Sequence, residues 1–350
     1  MRIVVVGASG NIGTALLEAL REEPAVSSLV GLARRVPRRG KGVEWHAADV
    51  ASSDLEPHFR GADAVVSLAW RIQPSRRQEE LWRTNVDGST RVFEAAGRAG
   101  VPTLVYGSSV GAYAPTAAQG RADESWPIGG VATSFYARHK AEVERRLDQF
   151  EATYPGVRVV RMRPALVFQR LSAAEQRRLF LGPLLPSPLL RRGLLPFVPS
   201  VRGLRFQAIH ADDVADAYRR ALLSDVRGAF NLAAEPVLGE GTIGTVLGAR
   251  TVSLPVWLAR AGVTLTWKLR LQPTPPGWLD MGLGVPLLDT ARARAELGWS
   301  PRRDARSTLA EVLDGIRRGD GAPTPPLDPD AGGRFRHKEL LTLAGTREHV

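Results

Sequence analysis

Two residues whose side chains could take part in catalysis lie four positions apart in the segment TSFYARHK, residues 133–140. On a helix this spacing places Tyr136 and Lys140 on one face, one turn apart, so that the ammonium lies near whatever the phenol touches. A phenol with a pKa of about 10 is a poor base at neutral pH, but a nearby cation favours its anion. Taken alone, the pair is more typical of a solvated helix face, and the elements around it decide between the two interpretations.

A glycine-rich turn near the start of the chain supplies the first of these elements. Residues 2–6 form a β-branched run typical of a buried parallel strand, GASGNIG follows at once, and the next residues have the apolar spacing of a helix. Glycines in this position let backbone amides and the positive helix end approach a pyrophosphate, although a tight turn without a ligand is the alternative. The residues predicted here to contact a cofactor are Gly7, Ser9, Gly10, Asn11, Ile12 and Gly13.

Two arginines follow the second predicted strand, SSLVGLA. An acidic residue usually receives the free ribose hydroxyl of NAD at this place, whereas Ala33, Arg34 and Arg35 occupy it here. Because a guanidinium group suits a 2′-phosphate, the sequence predicts NADP as the cofactor, with NAD as the open alternative. Arginines that are merely solvated would give the same pattern.

Further strands alternate with helices along the chain. HAADV at 46–50 ends a third strand, ADAVVSLAW at 62–70 forms a fourth, and VPTLVYG at 101–107 forms a fifth. This alternation predicts an α/β fold of the Rossmann type, in which a doubly wound parallel sheet is covered by helices on both faces.

A serine follows the fifth strand in a segment that has two interpretations. Residues 107–111, with Ser109 at their centre, match the G-x-S-x-G pattern of hydrolases. That pattern requires a helix directly after the serine, whereas a loop punctuated by proline and glycine follows here. The histidine and aspartate at 210–212 are also too close together to come from separate strand ends. A hydrolase is therefore not expected, and Ser109 is assigned to the same site as the tyrosine and lysine.

The whole pattern resembles the extended short-chain dehydrogenase/reductase family, also called the NAD-dependent epimerase/dehydratase family. Its segments occur in the family's order over nearly the whole chain. They are GASGNIG, TNVDGSTRVFEAA at 84–96, VYGSSVGAY at 105–113, SFYARHKAEVE at 134–144, RMRPALVF at 161–168, IHADDVADA at 209–217 and ARAELGWSP at 293–301. The resemblance implies an NAD(P)-dependent enzyme that transfers hydride at a carbonyl or secondary alcohol carbon.

The resemblance also implies a role for each candidate residue. Tyr136 exchanges a proton with the substrate oxygen, Lys140 hydrogen-bonds the nicotinamide ribose, and Ser109 orients the substrate oxygen. Further cofactor contacts are implied for Asp49 and Val50 at the adenine, Leu68 and Ala69 along the pyrophosphate and ribose, and Pro164 and Val167 beside the nicotinamide. Ordinary packing in a core or turn would account for each of these further residues equally well.

Departures from the family pattern bear on the reaction. Members acting on nucleotide sugars usually carry an asparagine, then a tyrosine and a glycine, where this chain has Leu166, Phe168 and Gln169. Dehydratases carry an acidic pair where this chain has Val110 and Gly111, so dehydration is not expected. The missing asparagine weakens the alternative of a nucleotide-sugar epimerase with retained cofactor. A non-catalytic NADP-binding regulator is a third hypothesis. The presence of Ser109, Tyr136 and Lys140 together, an intact catalytic triad, counts strongly against it.

The second half of the chain predicts a smaller domain built from insertions. The predicted division is a Rossmann domain over 1–167 and about 209–235, a substrate domain over 168–208 and 236–300, a helix over 301–318 and a flexible tail over 319–350. The apolar and aromatic content of the insertions suits a substrate of low polarity, although these residues would equally pack the core of the small domain.

Composition argues against several other classes of function. The formal charge is +11, but only four of the 47 basic residues are lysine, and the arginines are spread along the chain without the interleaved aromatics of a stacking platform. With no cysteine and six histidines that are never close in sequence, no metal site is predicted. Neither a signal sequence nor a membrane span is recognised, so a cytoplasmic enzyme is expected. Its expected partner is a small-molecule substrate, not a nucleic acid or a membrane, and a homodimer is left open.

Overall fold

A seven-stranded parallel sheet lies at the centre of the protein. The computed structural model describes residues 1–37, 42–72, 76–116, 120–181 and 194–332. The strands are β1 (Arg2–Val6), β2 (Ser28–Ala33), β3 (Glu44–Ala47), β4 (Ala64–Ser67), β5 (Thr103–Gly107), β6 (Arg121–Ala122), β7 (Arg158–Pro164), β8 (Leu166–Phe168), β9 (Phe197–Val201), β10 (Arg205–Phe206), β11 (Ala208–His210), β12 (Gly228–Leu232), β13 (Leu238–Gly239), β14 (Arg250–Leu254) and β15 (Leu287–Leu288). The sheet has the order β12-β7-β5-β4-β1-β2-β3, and all neighbouring strands in it are parallel.

Helices connect these strands and cover both faces of the sheet. They are α1 (Asn11–Arg21), α2 (Glu56–Phe59), α3 (Gln78–Trp82), α4 (Gly88–Arg98), α5 (Phe135–Thr153), α6 (Ala173–Gln176), α7 (Ala211–Leu222), α8 (Thr242–Leu247), α9 (Val256–Lys268), α10 (Gly277–Gly284), α11 (Ala291–Leu297) and α12 (Ala305–Arg318). Short π-helical segments follow α3 and α6, at Arg83–Asp87 and Arg177–Leu181.

The alternation of side chains along β1 shows why the sheet needs two helical layers. Ile3 and Val5 point into one hydrophobic core, shared with α1 and α7, whereas Val4 and Val6 point into a second core shared with α4 and α5. Each fully buried valine of this kind contributes about 1.5–3 kcal/mol relative to an exposed one. A strand with an unbroken apolar run is therefore stable only when helices cover both faces of its sheet. The predicted Rossmann-type sheet is confirmed.

The strand order reverses beside β1, and this reversal positions the site. From β1 the sheet grows through β2 and β3 on one side and through β4, β5 and β7 on the other. At such a switch point the connections after neighbouring strands leave in opposite directions and open a crevice at the carboxyl ends of the strands. The glycine turn after β1 and the segments after β4 and β5 all reach this edge of the sheet.

The two predicted insertions meet in small strand pairs beside the main sheet. Strand β9 pairs in parallel with β14, and β10 pairs antiparallel with β13. The end of the second insertion lies elsewhere, because Trp299 is fully buried in the core of the main sheet and its indole N–H donates to the Asp213 carbonyl oxygen at 2.8 Å. Helix α11 packs against β12 and α7, so this part of the predicted small domain belongs to the main sheet.

The segment after α12 differs from the predicted flexible tail. Leu327 is fully buried, and the Arg178 guanidinium donates to two backbone carbonyl oxygens of this segment. Residues 320–332 therefore pack against the body of the protein. The proline and glycine content of this segment predicted mobility. Composition gives no information about the contact from Arg178, which lies 150 positions before the carbonyl oxygen it binds. Residues 333–350, the remainder of the predicted tail, lie outside the described residues.

Candidate active site

One cavity at the switch point of the sheet brings together nearly all of the residues predicted for the site. The predicted residues that line it are Gly7, Ser9, Gly10, Asn11, Ile12, Gly13, Arg34, Arg35, Val50, Leu68, Ala69, Ser109, Tyr136, Lys140, Pro164 and Val167. Asp49 does not line the cavity, and its carboxylate instead accepts the Ala51 N–H at 2.9 Å within a turn. The cavity therefore runs from the glycine turn to the tyrosine and lysine.

The glycine turn has the geometry that a phosphate-binding loop needs. Gly7 adopts a φ of +85°, and a Cβ at this position would lie 2.6 Å from the Ala69 nitrogen. A Cβ on Gly13 would lie 2.6 Å from the Gly7 carbonyl oxygen, so close packing of α1 against the turn also requires a glycine. Helix α1 begins after Gly10 with no side-chain cap and no acidic residue in its first turn. These first-turn N–H groups have the donor chemistry that suits a pyrophosphate.

Gln169 holds the start of α1, directly after the glycine turn, by hydrogen bonds to Asn11. Its Nε2 donates to the Asn11 carbonyl oxygen at 2.8 Å and to Asn11 Oδ1 at 2.9 Å. Asn11 Nδ2 in turn donates to the Val167 carbonyl oxygen at 3.0 Å. The sequence marked Gln169 only as a departure from the nucleotide-sugar pattern. A contact between residues 158 positions apart has no local signal that would have revealed it.

Tyr136 and Ser109 both line the cavity and interact with each other there. Helix α5 begins after Ser134, whose hydroxyl accepts the Ala137 N–H, so Tyr136 lies in its first turn as predicted. The Ser109 hydroxyl also accepts the Gly111 N–H at 3.0 Å, which fixes its rotamer. Burial raises the pKa of Tyr136 to about 12, and the hydrogen bond with Ser109 acts in the opposite direction.

Lys140 lies one turn further along α5 and is also buried. Its Nζ donates to the Gly107 carbonyl oxygen at 2.6 Å and lies 3.6 Å from the centre of the Trp70 ring. Burial lowers the pKa of Lys140 to about 7, while Glu144 acts in the opposite direction. The ammonium is 6.0 Å from the centre of the Tyr136 ring. Burial is the larger influence on Tyr136, and it raises the pKa of the phenol.

Replacing Lys140 with Met is expected to remove a pH dependence of the free energy of unfolding. The pKa of Lys140 falls from 10.5 to about 7 on folding, so the unfolded chain binds more protons between these values and wild-type stability rises with pH across this window. Between about pH 6.5 and pH 9, the free energy of unfolding of the wild type, measured in urea, should rise by about 2–3 kcal/mol relative to that of the variant. The exposed Lys268→Met variant serves as control, and a gain of the same size against that variant would contradict the assignment.

Glu144 holds the loop that carries Ser109. It is 1% exposed, accepts the Ser108 hydroxyl at 2.5 Å, and accepts Arg163 Nε at 2.9 Å and Arg161 Nη1 at 3.1 Å. Although burial acts to raise the pKa of Glu144, the hydrogen bonds and charges of the two arginines hold it below its usual range. Because Ser108 directly precedes Ser109, this buried carboxylate fixes the position of the Ser109 backbone.

An apolar wall covers Tyr136 on the side away from the glycine turn. The Trp278 ring lies 5.2 Å from the Tyr136 ring, and the Trp70 ring lies 5.8 Å from it. The other apolar residues of this wall are Ile72, Leu179, Phe180, Met281, Pro325 and Pro326. The indole N–H groups of both tryptophans are buried without a hydrogen-bond partner. The sequence marked Trp278 only as part of an aromatic insertion, and the two prolines belong to the segment predicted to be mobile.

The backbone around Ser109 argues against two other reactions. A Cβ on residue 111 would lie 3.0 Å from Tyr136 Cε1, so the acidic side chain that a dehydratase carries has little room. Ser109 is followed by a single 3₁₀ turn, not by the helix of a hydrolase elbow. His210 accepts the Asp212 N–H at 3.1 Å and does not line the cavity.

Two histidines that do not line the cavity lie close together. His46 and His58 have ring centres 4.9 Å apart, a proximity that their sequence positions did not indicate. No group of three or more His, Cys, Asp or Glu side chains in the described ranges is placed to hold a metal ion. Within the same ranges, no helix has the length and apolar character needed to cross a bilayer.

The parallel sheet with a glycine turn at its switch point defines the class of the molecule, a dinucleotide-binding α/β protein. The sequence model of the NAD dependent epimerase/dehydratase family matches residues 3–233, and the chain belongs to this family. Its relatives are NAD(P)-dependent dehydrogenases and epimerases of the extended short-chain type. The resemblance seen in the motifs is thereby confirmed.

Three curated relatives show the range of reactions in the family. L-arabinose 1-dehydrogenase (NAD(P)(+)) of Haloferax volcanii is 33% identical over 31% of this chain and 41% of its own length. Uronate dehydrogenase of Pseudomonas syringae pv. tomato is 30% identical over 31% of this chain and 39% of its own length. UDP-glucose 4-epimerase of Mycolicibacterium smegmatis is 26% identical over 91% of this chain and 99% of its own length. The chain thus spans about two fifths of the length of each of the two dehydrogenases.

A solved structure supports the fold independently of these matches. The UDP-glucose 4-epimerase of Thermotoga maritima, determined with UDP-glucose, superimposes with a TM-score of 0.69 over 91% of this chain and 99% of that chain. The two sequences are 19% identical in this superposition, so the likeness concerns the fold.

Proposed function

We propose that the protein is an NADP-dependent oxidoreductase acting at a carbonyl or secondary alcohol carbon of a small molecule of low polarity. The position of Tyr136 carries this proposal. Its phenol shares one cavity with Ser109, with the glycine turn and with the apolar wall that includes Trp278. A proton carrier at this border reaches a cofactor on one side and an apolar substrate on the other.

The donor groups of the cavity suit a phosphorylated dinucleotide. We assign the pyrophosphate to the first-turn N–H groups of α1, and a 2′-phosphate to Arg34 with Arg35, which follow β2 and line the cavity. Arg34 also interacts electrostatically with Arg71 and Asp49, so the cations outnumber the acid at this end. When bound, the nicotinamide supplies or accepts the hydride.

Tyr136 and its neighbours handle the proton and the substrate oxygen. A phenol whose pKa is raised by burial keeps its proton at neutral pH, which suits donation to a carbonyl oxygen that is being reduced. Ser109 donates its hydroxyl proton to the same oxygen and so orients it. Lys140, with its pKa lowered to about 7, supplies a nearby exchangeable proton that can restore the phenol.

The insertions are proposed to form the substrate-binding part of the molecule. Helix α10 contributes Trp278 and Met281 to the cavity, and the segment after β8 contributes Leu179 and Phe180. These side chains are suited to burying apolar surface of a ligand. A nucleotide diphosphate would find mainly apolar partners on this wall.

A nucleotide-sugar epimerase is the second candidate, favoured by the full-length match to UDP-glucose 4-epimerase. The two enzymes differ in how they treat the cofactor, because an epimerase retains it through a whole cycle whereas a reductase releases it at each turnover. Cofactor retention therefore separates the candidates without knowledge of the substrate.

We expect the purified protein to carry little bound nicotinamide and to bind added NADP with a Kd on the order of micromolar, since this affinity permits exchange during typical turnover. Absorbance and mass spectrometry after gel filtration measure retention, and calorimetry measures the Kd. NADPH oxidation with a panel of aldehydes and ketones then tests the reaction. Stoichiometric NAD that survives gel filtration, together with thermal stabilisation by UDP-sugars, would make the epimerase the better assignment.

A further inference from the structure

The surface of the insertions carries large apolar side chains in contact with solvent. We define the apolar face as the exposed apolar residues of β9, β14, α9 and the segments that adjoin them. They are Leu194, Phe197, Val252, Val256, Trp257, Leu258, Leu265, Leu269 and Leu271. Helix α9 has 13 residues, and none of them is buried. A surface helix of this composition normally turns its apolar residues toward a core, so the exposure calls for a partner.

The exposed residues of α9 form a continuous stripe. Trp257, Ala261 and Leu265 follow at intervals of four, and Leu269 continues the series just after the helix ends. Trp257 is 71% exposed and Leu265 is 58% exposed. Because residues four apart lie on the same side of a helix, the side of α9 that faces solvent is apolar.

The strand before α9 extends the same surface. Phe197 on β9 is the register partner of Arg250 on β14, and Pro199 is the partner of Val252. Alternate residues of a strand share one side, so Phe197, Val252 and Arg250 stand together on one side of the two-strand pair. Phe197 is 56% exposed and Val252 is 44% exposed. Strand β14 passes into α9 within two residues, so the apolar face is continuous along the chain.

The charges around the apolar face are mainly positive, and the acids that adjoin it are Glu240, which accepts the Ser253 hydroxyl of β14, and Asp280, which pairs with Arg260 of α9. Residues 194–211 and 241–279 contain neither Asp nor Glu. The cations in these two stretches are Arg202, Arg205, Arg250, Arg260, Lys268 and Arg270. A second copy of the chain would present the same positive charges and be repelled, whereas a layer of anionic lipid headgroups is complementary to both the charge and the apolar side chains.

We propose that the apolar face docks on an anionic membrane surface, with α9 lying in the plane of the headgroups. This association goes beyond the oxidoreductase activity and does not rest on it. The sequence predicted no membrane partner, and this proposal departs from that prediction; docking of this kind needs no spanning segment. Arg260 pairs with Asp280 of α10, at 2.8 Å, and α10 also carries Trp278 and Met281 of the cavity wall. Docking would therefore hold that wall beside the lipid interface.

Co-sedimentation with lipid vesicles tests this proposal on the full chain. The wild type is expected to bind vesicles of phosphatidylcholine containing about 30% phosphatidylglycerol at least about tenfold more strongly than pure phosphatidylcholine vesicles, and to be released by salt. The double variant Trp257→Glu with Leu265→Glu should lower the partition coefficient by about tenfold or more. Leu223→Glu, at an exposed leucine outside the apolar face, should leave it unchanged.

Each other outcome overturns the proposal. Equal binding to both kinds of vesicle, absence of binding to either, or unchanged binding of the double variant would exclude docking by this face on anionic lipid. A dimer seen by light scattering that the double variant dissociates, without vesicle binding, would assign the face to a second copy. Thermal melting checks that the double variant is folded, and Lys268→Glu with Arg270→Glu, at exposed positions, tests the charge requirement if it is not.

Discussion

Tyr136→Phe is expected to lower turnover by a factor of about a hundred or more while NADP affinity stays nearly unchanged. The substitution removes the hydroxyl that bonds Ser109 and carries the proton, but it keeps the ring that packs between Trp70 and Trp278. Steady-state oxidation of NADPH with a carbonyl compound found in the substrate panel measures turnover, and titration calorimetry measures affinity.

Tyr154→Phe is the matched control for this experiment. Tyr154 follows the last residue of the same helix, α5, and does not line the cavity, so loss of its hydroxyl should leave turnover as it is in the wild type. Should Tyr136→Phe retain wild-type turnover on the same substrate, Tyr136 would not be the proton carrier.

Arg34→Ala is expected to weaken NADP binding by about 1.5–3 kcal/mol and to leave NAD binding little affected. Arg34 and Arg35 line the cavity at the end of β2, and the 2′-phosphate is the group that distinguishes the two cofactors. If the Arg34 guanidinium binds this phosphate, its removal lowers the affinity for NADP and leaves the affinity for NAD unchanged. Calorimetric titration of the variant with each cofactor makes the comparison.

Arg294→Ala controls for loss of positive charge in general, since Arg294 is exposed on α11 and does not line the cavity. Its NADP affinity should match that of the wild type at the same ionic strength. An equal loss of NADP and NAD affinity in Arg34→Ala would show that this arginine supports the structure of the loop and not the phosphate.

Local patterns were sufficient to predict the parts of the site that lie on single elements. Glycines placed between a β-branched run and a helical pattern predicted the turn between β1 and α1. The helical spacing of the tyrosine and lysine predicted their shared face of α5. Their convergence was also predictable, because the carboxyl ends of parallel strands share one edge of the sheet.

Contacts between distant segments were beyond this kind of prediction. The bonds from Gln169 to Asn11, the burial of Trp299 against α7 and the anchoring of residues 320–332 by Arg178 join parts of the chain with no common periodicity. The burial that raises the pKa of Tyr136 was also not predictable from the sequence. Neighbouring charges can be read from spacing, but the burial that prevails at Tyr136 depends on the packing of the whole cavity.

The segment that closes the cavity imposes an order of events on synthesis of the chain. Arg178 binds a carbonyl oxygen 150 positions further along, and Pro325 and Pro326 complete the apolar wall. At about 5–20 residues per second, these positions are translated about 8–30 s apart. The glycine turn and Tyr136 emerge from the ribosome well before that wall. The lining of the cavity is therefore completed only late in synthesis, after the glycine turn and Tyr136 have been made.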